Sequence, residues 1–440
     1  MKNKKWMAIL LGGIMAASLA APCSVSAAEK TTLTFWHAMG GTNGEVLQQI
    51  VDDFNASQDE IEVKAEYQGT YDDTITKLKA AMQSDSGLPD VCQMYDVGTK
   101  FMYDSGAVIP VEDKFESTGY DKSSVMDVIS SYYTVDGKQY AMPFNVSTPM
   151  LYYNKDVFEA AGLDPETPPT TYDEVLEDAK KIVESGAAPV GYSQAIYGWF
   201  FEQQLAGLGV TYGNNDNGRK EAVTAVDFDS NGGGLKVFDM WKKLYDSGYF
   251  EDYGTTTADT QTAFFSGQVG MIIESTAILK NAVDSSPFEV GTGYLPRIEQ
   301  NDEGGVIIGG GSLWLTDTGN EANEDAAWKF IEYITTPDVQ AKWSMGTGYF
   351  AINEKAYETD DMKAYLEENP NFETAINQLK DSPVNCNTAG VLSGVQTEAR
   401  LTFNEIMPQV YDGKLTTQDA VDQLAASVNK AIENYNESIK

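Results

Sequence analysis

Nine residues along the chain are of types that could hold a polyol or an anion: Tyr71, Asp96, Ser147, Trp199, Ser275, Gly309, Gly310, Tyr349 and Arg400. Carboxylates accept paired hydroxyls, and aromatic faces cover the C–H surface of a sugar or glycerol. Phosphate is suited by an arginine fork, by hydroxyls and by free backbone N–H groups. Most of the nine fall at the end of an expected strand or in the turn after one, where open α/β sheets place ligands. Periodicity alone leaves each of them an ordinary loop or core residue.

Catalytic constellations are weak by comparison. His37 is the only histidine, and no G-x-S-x-G elbow is present. One histidine and separated cysteines make no transition-metal site. The stretch "NNDNGRKE" has some features of a calcium loop but lacks its ligand spacing and terminal glutamate, so a surface turn is expected there. Sixty-six acidic residues guarantee carboxylate pairs by chance, which neither supports nor excludes a glycosidase. "IIGGGSLW" is glycine-rich but has neither phosphate-loop nor dinucleotide spacing. No enzyme, metal or cofactor is expected.

The elements that must position these residues follow from apolar spacing. "TLTFWHA" reads as a strand, Val46, Ile50 and Phe54 mark one helix face, and Ile61, Val63, Ala65 and Tyr67 alternate toward one side of a second strand. Ile75, Leu78 and Met82 mark the next helix, and "PDVCQMY" is a strand again. Strand and helix in alternation predict a parallel sheet with covering helices. A second α/β unit continues through "TTYDEVLEDAKKIVESG", "APVGYS", "GGLKVFDMWKKLYDSGYF" and "TAFFSGQVGMIIES". "FEVGTGYLPR" and "GVIIGGGSLWLT" read as two further strands. Helices follow at "NEDAAWKFIEYITT", "PDVQAKWSMG" and "TQDAVDQLAASVNKAIENYN".

A chain of 440 residues exceeds one ordinary core and is expected to split into two lobes. Lys2, Lys4 and Lys5 precede the apolar run "WMAILLGGIMAASLAA" and the small-residue sites of "SVSAAEK", which reads as a secretory signal peptide over residues 1-27. Plain cleavage is expected rather than lipid attachment at Cys23, because proline stands just before that cysteine. Cys92 and Cys386 are then either one bridge or two free thiols. A formal net charge of −36 repels phosphate backbones, which argues against a nucleic-acid partner. Arginine occurs only at 219, 297 and 400, so each invites the question whether its planar fork is needed.

From "TFWHAMGG" to the C-terminal helices the chain resembles the extracellular solute-binding proteins of sugar-type ABC importers. "PFNVSTPMLYYNKDVFEAAGLDPETPPTTYDEV", "FFSGQVGM" and "KWSMGTGYFAINEKAY" carry the likeness. Within that family it is most similar to periplasmic glycerol-3-phosphate-binding proteins, through "YQGTYDD", "QMYDVGT", "PFNVSTPMLYYNKD", "IIGGGSLW" and "GTGYF". The resemblance implies a periplasmic-binding-protein-like α/β fold of two lobes, residues 28-143 with 297-347 and residues 144-296 with 348-440, joined by hinge crossings around a ligand cleft. It implies an exported monomer that delivers a small-molecule ligand to an ABC permease and its ATPase complex. The expected ligand is glycerol 3-phosphate or a glycerophosphodiester, with a neutral sugar or oligosaccharide as the alternative and a glycoside-acting enzyme as a remote one.

Residue by residue, the resemblance gives Asp96 glycerol hydroxyls to accept and places Tyr71 beside it. Ser147, Ser275 and a glycine of the Gly309–Gly310 pair would supply small hydrogen-bonding groups. Tyr349 and Arg400 would hold the anion, and Trp199 would form an aromatic wall. Asp96 stands where the family carries glutamate. Ile196 stands where it carries a stacking tryptophan, and Tyr197 could take that place.

Overall fold

The computed structural model describes residues 30–84 and 87–439, so the expected signal peptide and Cys23 lie outside it. β1 (Thr31–His37), β2 (Ile61–Tyr67) and β3 (Val91–Tyr95) run parallel, joined by helices Gly41–Ser57 and Tyr71–Met82, as the alternation predicts. β4 (Val108–Ile109), a short hairpin of β5 (Thr134–Val135) and β6 (Lys138–Gln139), and β7 (Met142–Ser147) follow. The chain then enters a second sheet with β8 (Pro149–Asn154), β9 (Val190–Ser193), β10 (Val269–Ser275) and β11 (Val290–Gly293) before β12 (Gly309–Thr316) rejoins the first. The sheets have strand orders β2-β1-β3-β12-β4, with β7 also on β12, and β11-β8-β10-β9. The α/β class is therefore that of the sequence reading.

Two large apolar cores hold these layers together, with a small third cluster around Met362. One contains Leu33, Phe35, Leu47, Ile50, Val91, Phe144, Leu313, Trp314 and Trp343, and continues onto one face of the second sheet through Met150, Tyr152 and Ile272. The other lies between the opposite face of that sheet and the later helices, through Leu151, Ile273, Phe200, Trp241, Phe403 and Leu424. Ile61 and Val63 point inward as expected, but Tyr67 is 58% exposed. It is the last residue of β2, opposite His37 at the end of β1, where the core has run out.

The first passage between sheets falls inside the run "PFNVSTPMLYYNKD". The chain changes sheet at Thr148, so Phe144–Ser147 stay with the first sheet, and β12 begins only at Gly309. Helix Asn371–Asp381 packs beside β11 of the second sheet, and its Phe372, Ile376 and Leu379 join the core that spans both sheets. β7 and β8 form one almost unbroken buried run, in which the polar Asn145, Ser147 and Thr148 mark the switch. Helix Gln396–Tyr411, which carries Arg400, was not among the expected helices, and Pro408 near its end interrupts the helical signature.

The passages converge on one side chain. Gln378 donates from Nε2 to the Pro149 carbonyl at 2.7 Å and accepts from the Leu295 amide at 2.5 Å. Thr276, at the exit of β10, donates its amide to the Thr148 carbonyl at 2.8 Å and accepts from the Thr148 amide on its hydroxyl at 3.1 Å.

Candidate ligand-binding site

Arg400 is the centre of the most strongly bonded polar group. Its Nε donates to Oε1 of Glu202 at 2.7 Å, and Nη2 donates to Oε2 of Glu202 at 2.7 Å and to Oδ2 of Asp96 at 2.6 Å. All three side chains are less than a tenth exposed. Asp96 opens the turn directly after β3, Glu202 comes from helix Gly198–Gly207, and Arg400 lies one turn into helix Gln396–Tyr411. The two helices meet at Gly198, where a Cβ would stand 2.5 Å from the Arg400 Cα, so only glycine permits this approach.

Two carboxylates share one guanidinium, so the buried group carries an excess negative charge. Burial alone would lower the Arg400 pKa, but Asp96 and Glu202 outweigh it and hold the cation well above its ordinary value. Burial pushes Glu202 upward and Arg400 only partly pulls it back. These directions agree: the shared cation is doubly stabilised, while Glu202 is under-compensated. Gln396 adds a bond to Glu202 Oε1 at 3.0 Å.

A second cluster stands at the ends of the first-sheet strands. The Tyr71 ring stacks on Tyr95 with centroids 5.0 Å apart, and its hydroxyl accepts from Asn145 Nδ2 at 2.7 Å. Thr70 and Asp73 cap the helix that starts at Tyr71, which fixes that ring at its first position. Asn145 in turn accepts from Gln93 at 2.7 Å, and Tyr349 lies within hydrogen-bonding reach of Asn145 and Tyr71. Burial drives the pKa of both tyrosines up, so they present neutral hydroxyls. Tyr95 donates to Asp72 at 2.7 Å and meets the Thr397 hydroxyl at 2.8 Å, linking this cluster to the helix of Arg400.

Ser147 pairs in register with Gly309 across β7 and β12. A Cβ at Gly309 would lie 2.7 Å from the Trp199 ring, and one at Gly310 would lie 1.8 Å from the Asn145 carbonyl oxygen. Gly310 also has a φ of +86°. The glycine pair thus lets an indole and a backbone come close, and Trp199, almost wholly buried, forms a wall there. Ser275 sits at the end of β10, opposite Pro149 of β8, and its hydroxyl accepts from the Ala277 amide at 3.2 Å.

Asp96 and Arg400 are therefore in direct contact, Tyr71 is bonded to Asn145 with Tyr349 nearby, and Ser147, Gly309 and Trp199 form a third group. Ile196 is fully buried, whereas the half-buried Tyr197 lies in the electrostatic reach of Arg400, Asp96 and Glu202. Burial pushes the Tyr197 pKa up to about 12. The structure adds Glu202, Asn145, Gln93 and Gln396 to the expected residues. Glu202 had a signal: Glu-Gln-Gln interrupts the apolar run "GWFFEQQLAG" without a turn residue. The other arginines lie apart. Arg297 is exposed on a cavity of 530 Å³ beside Gln378 and Tyr294, which contains none of the nine expected residues. Cys92 and Cys386 are free thiols, and no described helix is long and apolar enough to cross a membrane.

Comparison with known proteins decides the family. The profile of the bacterial extracellular solute-binding proteins matches residues 49–374. The chain belongs to that family. This binding protein is 31% identical over 417 residues to the sn-glycerol-3-phosphate-binding periplasmic protein UgpB of Escherichia coli strain K12, covering 93% of this chain and 94% of that one. Its fold matches UgpB from Mycobacterium tuberculosis, solved with glycerophosphocholine, with a TM-score of 0.78 at 21% identity over 93% of this chain and all of the other. It also matches the cyclic α-maltosyl-1,6-maltose binding protein of Arthrobacter globiformis, with a TM-score of 0.76 at 26% identity over 92% of this chain and all of that one. The two-lobed binding-protein architecture follows from these matches.

Proposed function

We propose that this binding protein captures a glycerophosphodiester or glycerol 3-phosphate between its lobes and hands it to an ABC permease driven by a cytoplasmic ATPase complex. The observation that carries the reading is the buried contact of Arg400 with Asp96 and Glu202, built from both lobes. Asp96 and Glu202 have lone pairs for glycerol hydroxyls, and the Nη1 edge of the guanidinium is suited to a phosphate oxygen. Tyr71 and Tyr349 offer neutral hydroxyls to the same ligand, Ser147 and Ser275 offer theirs beside the hinge, and Trp199 and Tyr197 cover its apolar surface. The similarity to E. coli UgpB over nearly the whole chain supports this ligand class. The excess negative charge favours a singly charged diester over a doubly charged monoester. The role is one of binding and delivery, without catalysis, by an exported monomer.

A neutral oligosaccharide is the second reading, favoured by the same excess of carboxylate and by Ile196 lying in the core. Calorimetry on protein stripped of carried ligand by unfolding and refolding separates the two. Glycerol 3-phosphate, glycerophosphocholine and maltotriose are titrated in parallel. Binding of either phosphate compound is the expected result, and maltotriose binding with silence from both would overturn the first reading in favour of the second.

A further inference from the structure

The stretch expected to be a plain surface turn is an unusual one. Asn215, Asp216 and Asn217 are successive residues in the left-handed region, with φ of 56°, 55° and 59°, and Gly218 follows at 76°. Asn and Asp tolerate this region best, yet three in sequence persist only where the surroundings over-determine them. They do so here. Asn217 accepts from the amides of Tyr212 and Gly213 at 2.8 and 2.9 Å, and donates from Nδ2 to the Cys386 carbonyl at 2.9 Å. Its own carbonyl accepts from the Leu392 amide at 2.8 Å.

The turn delivers Arg219. Its Nε donates to the Gly390 carbonyl at 3.0 Å, Nη1 donates to the Tyr132 carbonyl at 2.8 Å, and Nη2 donates to the Ala389 carbonyl. The guanidinium also lies 5.1 Å from the Tyr132 ring. All three bonds go to backbone carbonyls, so what is used is the fork and its directions rather than an ion pair. Their positions matter. Tyr132 belongs to the first core, whereas Val223 and Val226, just beyond the turn, belong to the second. Residues 382–395 lead from helix Asn371–Asp381, which packs beside β11, to helix Gln396–Tyr411 on the second core. The first turns of the latter present Gln396 to Glu202, Thr397 to Tyr95 and Arg400 to Asp96.

We propose that Arg219, presented by the left-handed turn, is a positioning residue for ligand capture: it fastens the segment leading into helix Gln396–Tyr411 to the Tyr132 carbonyl and thereby sets Arg400 and Thr397 against Asp96 and Tyr95. The inference rests on the reading that Arg400 and Asp96 line the ligand site. Arg219 touches no ligand. It acts through that segment, and a lysine carries its three donors on one nitrogen, which cannot stand within bonding distance of all the carbonyls that Arg219 meets from three separate nitrogens.

The test uses Arg219→Met and Arg219→Lys in the full mature chain, each with two readouts. Without ligand, hydrogen exchange of the amides of residues 396–400 is expected to quicken about tenfold in Arg219→Met, consistent with loss of a charge-assisted bond, while exchange in the β1–β3 sheet stays as in the parent. With the strongest binder among glycerol 3-phosphate, glycerophosphocholine and maltotriose, dissociation is expected to quicken by a similar factor, and Arg219→Lys to restore less than half of the effect on a logarithmic scale. Unchanged exchange and dissociation would overturn the proposal, as would full rescue by lysine or a uniform quickening across the whole chain. Asn217→Gly, which keeps the left-handed backbone but removes the bonds to Cys386, Tyr212 and Gly213, serves if Arg219→Met fails to fold and is expected to show the same local change. Should none of the three compounds bind the parent, the ligand assignment fails, while the exchange measurement still decides the positioning role.

Discussion

Replacing Arg400 by methionine is the sharpest perturbation of the site, because it keeps the volume and removes the charge. Three bonds of 2.6–2.7 Å disappear, and Asp96 and Glu202 are left buried without a cation. Breaking one side of a buried pair costs about 3–5 kcal/mol of stability, mostly because the remaining charge is stranded. The sign of the pH dependence follows from Glu202. Burial already raises its pKa, and removing the arginine takes away the pull downward. A carboxylate raised in the folded state costs stability above that pKa, and the cost is relieved as pH falls through it. Urea denaturation should therefore show the variant far less stable than the parent at neutral pH, with the gap closing under mildly acid conditions. Adding Glu202→Gln should recover part of the stability and none of the affinity. Calorimetry should show affinity for a phosphorylated ligand lower by about 2–5 kcal/mol, roughly 30- to 5000-fold. A stability change under about 1 kcal/mol would refute the buried, charge-excess account of the triad. Undiminished affinity in a folded variant would remove Arg400 from the ligand site.

Other perturbations address the supporting shell. Gly310→Ala should destabilise by more than about 1 kcal/mol in denaturant unfolding, because it combines an unfavourable φ with a backbone clash, and a neutral result would mean the β7–β12 approach is not tight. Trp199→Ala should cost about 3–5 kcal/mol of stability as a large buried side chain and also weaken a polyol ligand; loss of stability alone would make it a core residue only. His37 is held neutral by burial, with its pKa lowered to about 4, so the unfolded chain binds the extra proton first as pH falls. Stability should decline from near pH 6.5 toward pH 4 through this group, and His37→Gln should flatten that part of the profile when melting temperature is followed against pH.

Much of the fold was legible because β1 to β3 and their helices obey simple periodicities, and each apolar stripe has one neighbour to cover. Arg400 and Asp96, expected separately, meet in the structure. The partners of that contact were less visible for physical reasons. Glu202 sits in a helix buried on nearly every side, where no amphipathic pattern marks an inward polar residue. Asn145 and Gln93 lie inside strands, and their pairing depends on the β12 register, which no local pattern contains. The turn at Asn215 looked ordinary because left-handed backbone in Asn and Asp leaves the same composition as a loose loop. The run that holds the switch was legible in its polar Asn145, Ser147 and Thr148, but not the residue at which it falls, because both flanking strands are equally buried.

The bonds around Gln378 give the molecule a mechanical character of their own. Pro149, Leu295 and, through Thr148, Thr276 are moored to one amide side chain on helix Asn371–Asp381. Separate hinges would allow the lobes to slide, shear or splay. Were the lobes to close on a ligand, strands fastened at one point would leave mainly rotation about it, and a torsional change of a few degrees there would become a sweep of ångströms at the far rim. In such a closure the pivot would stay nearly still while the rim travelled, and a chain of ordinary backbone stiffness would behave as a lever with a fixed fulcrum.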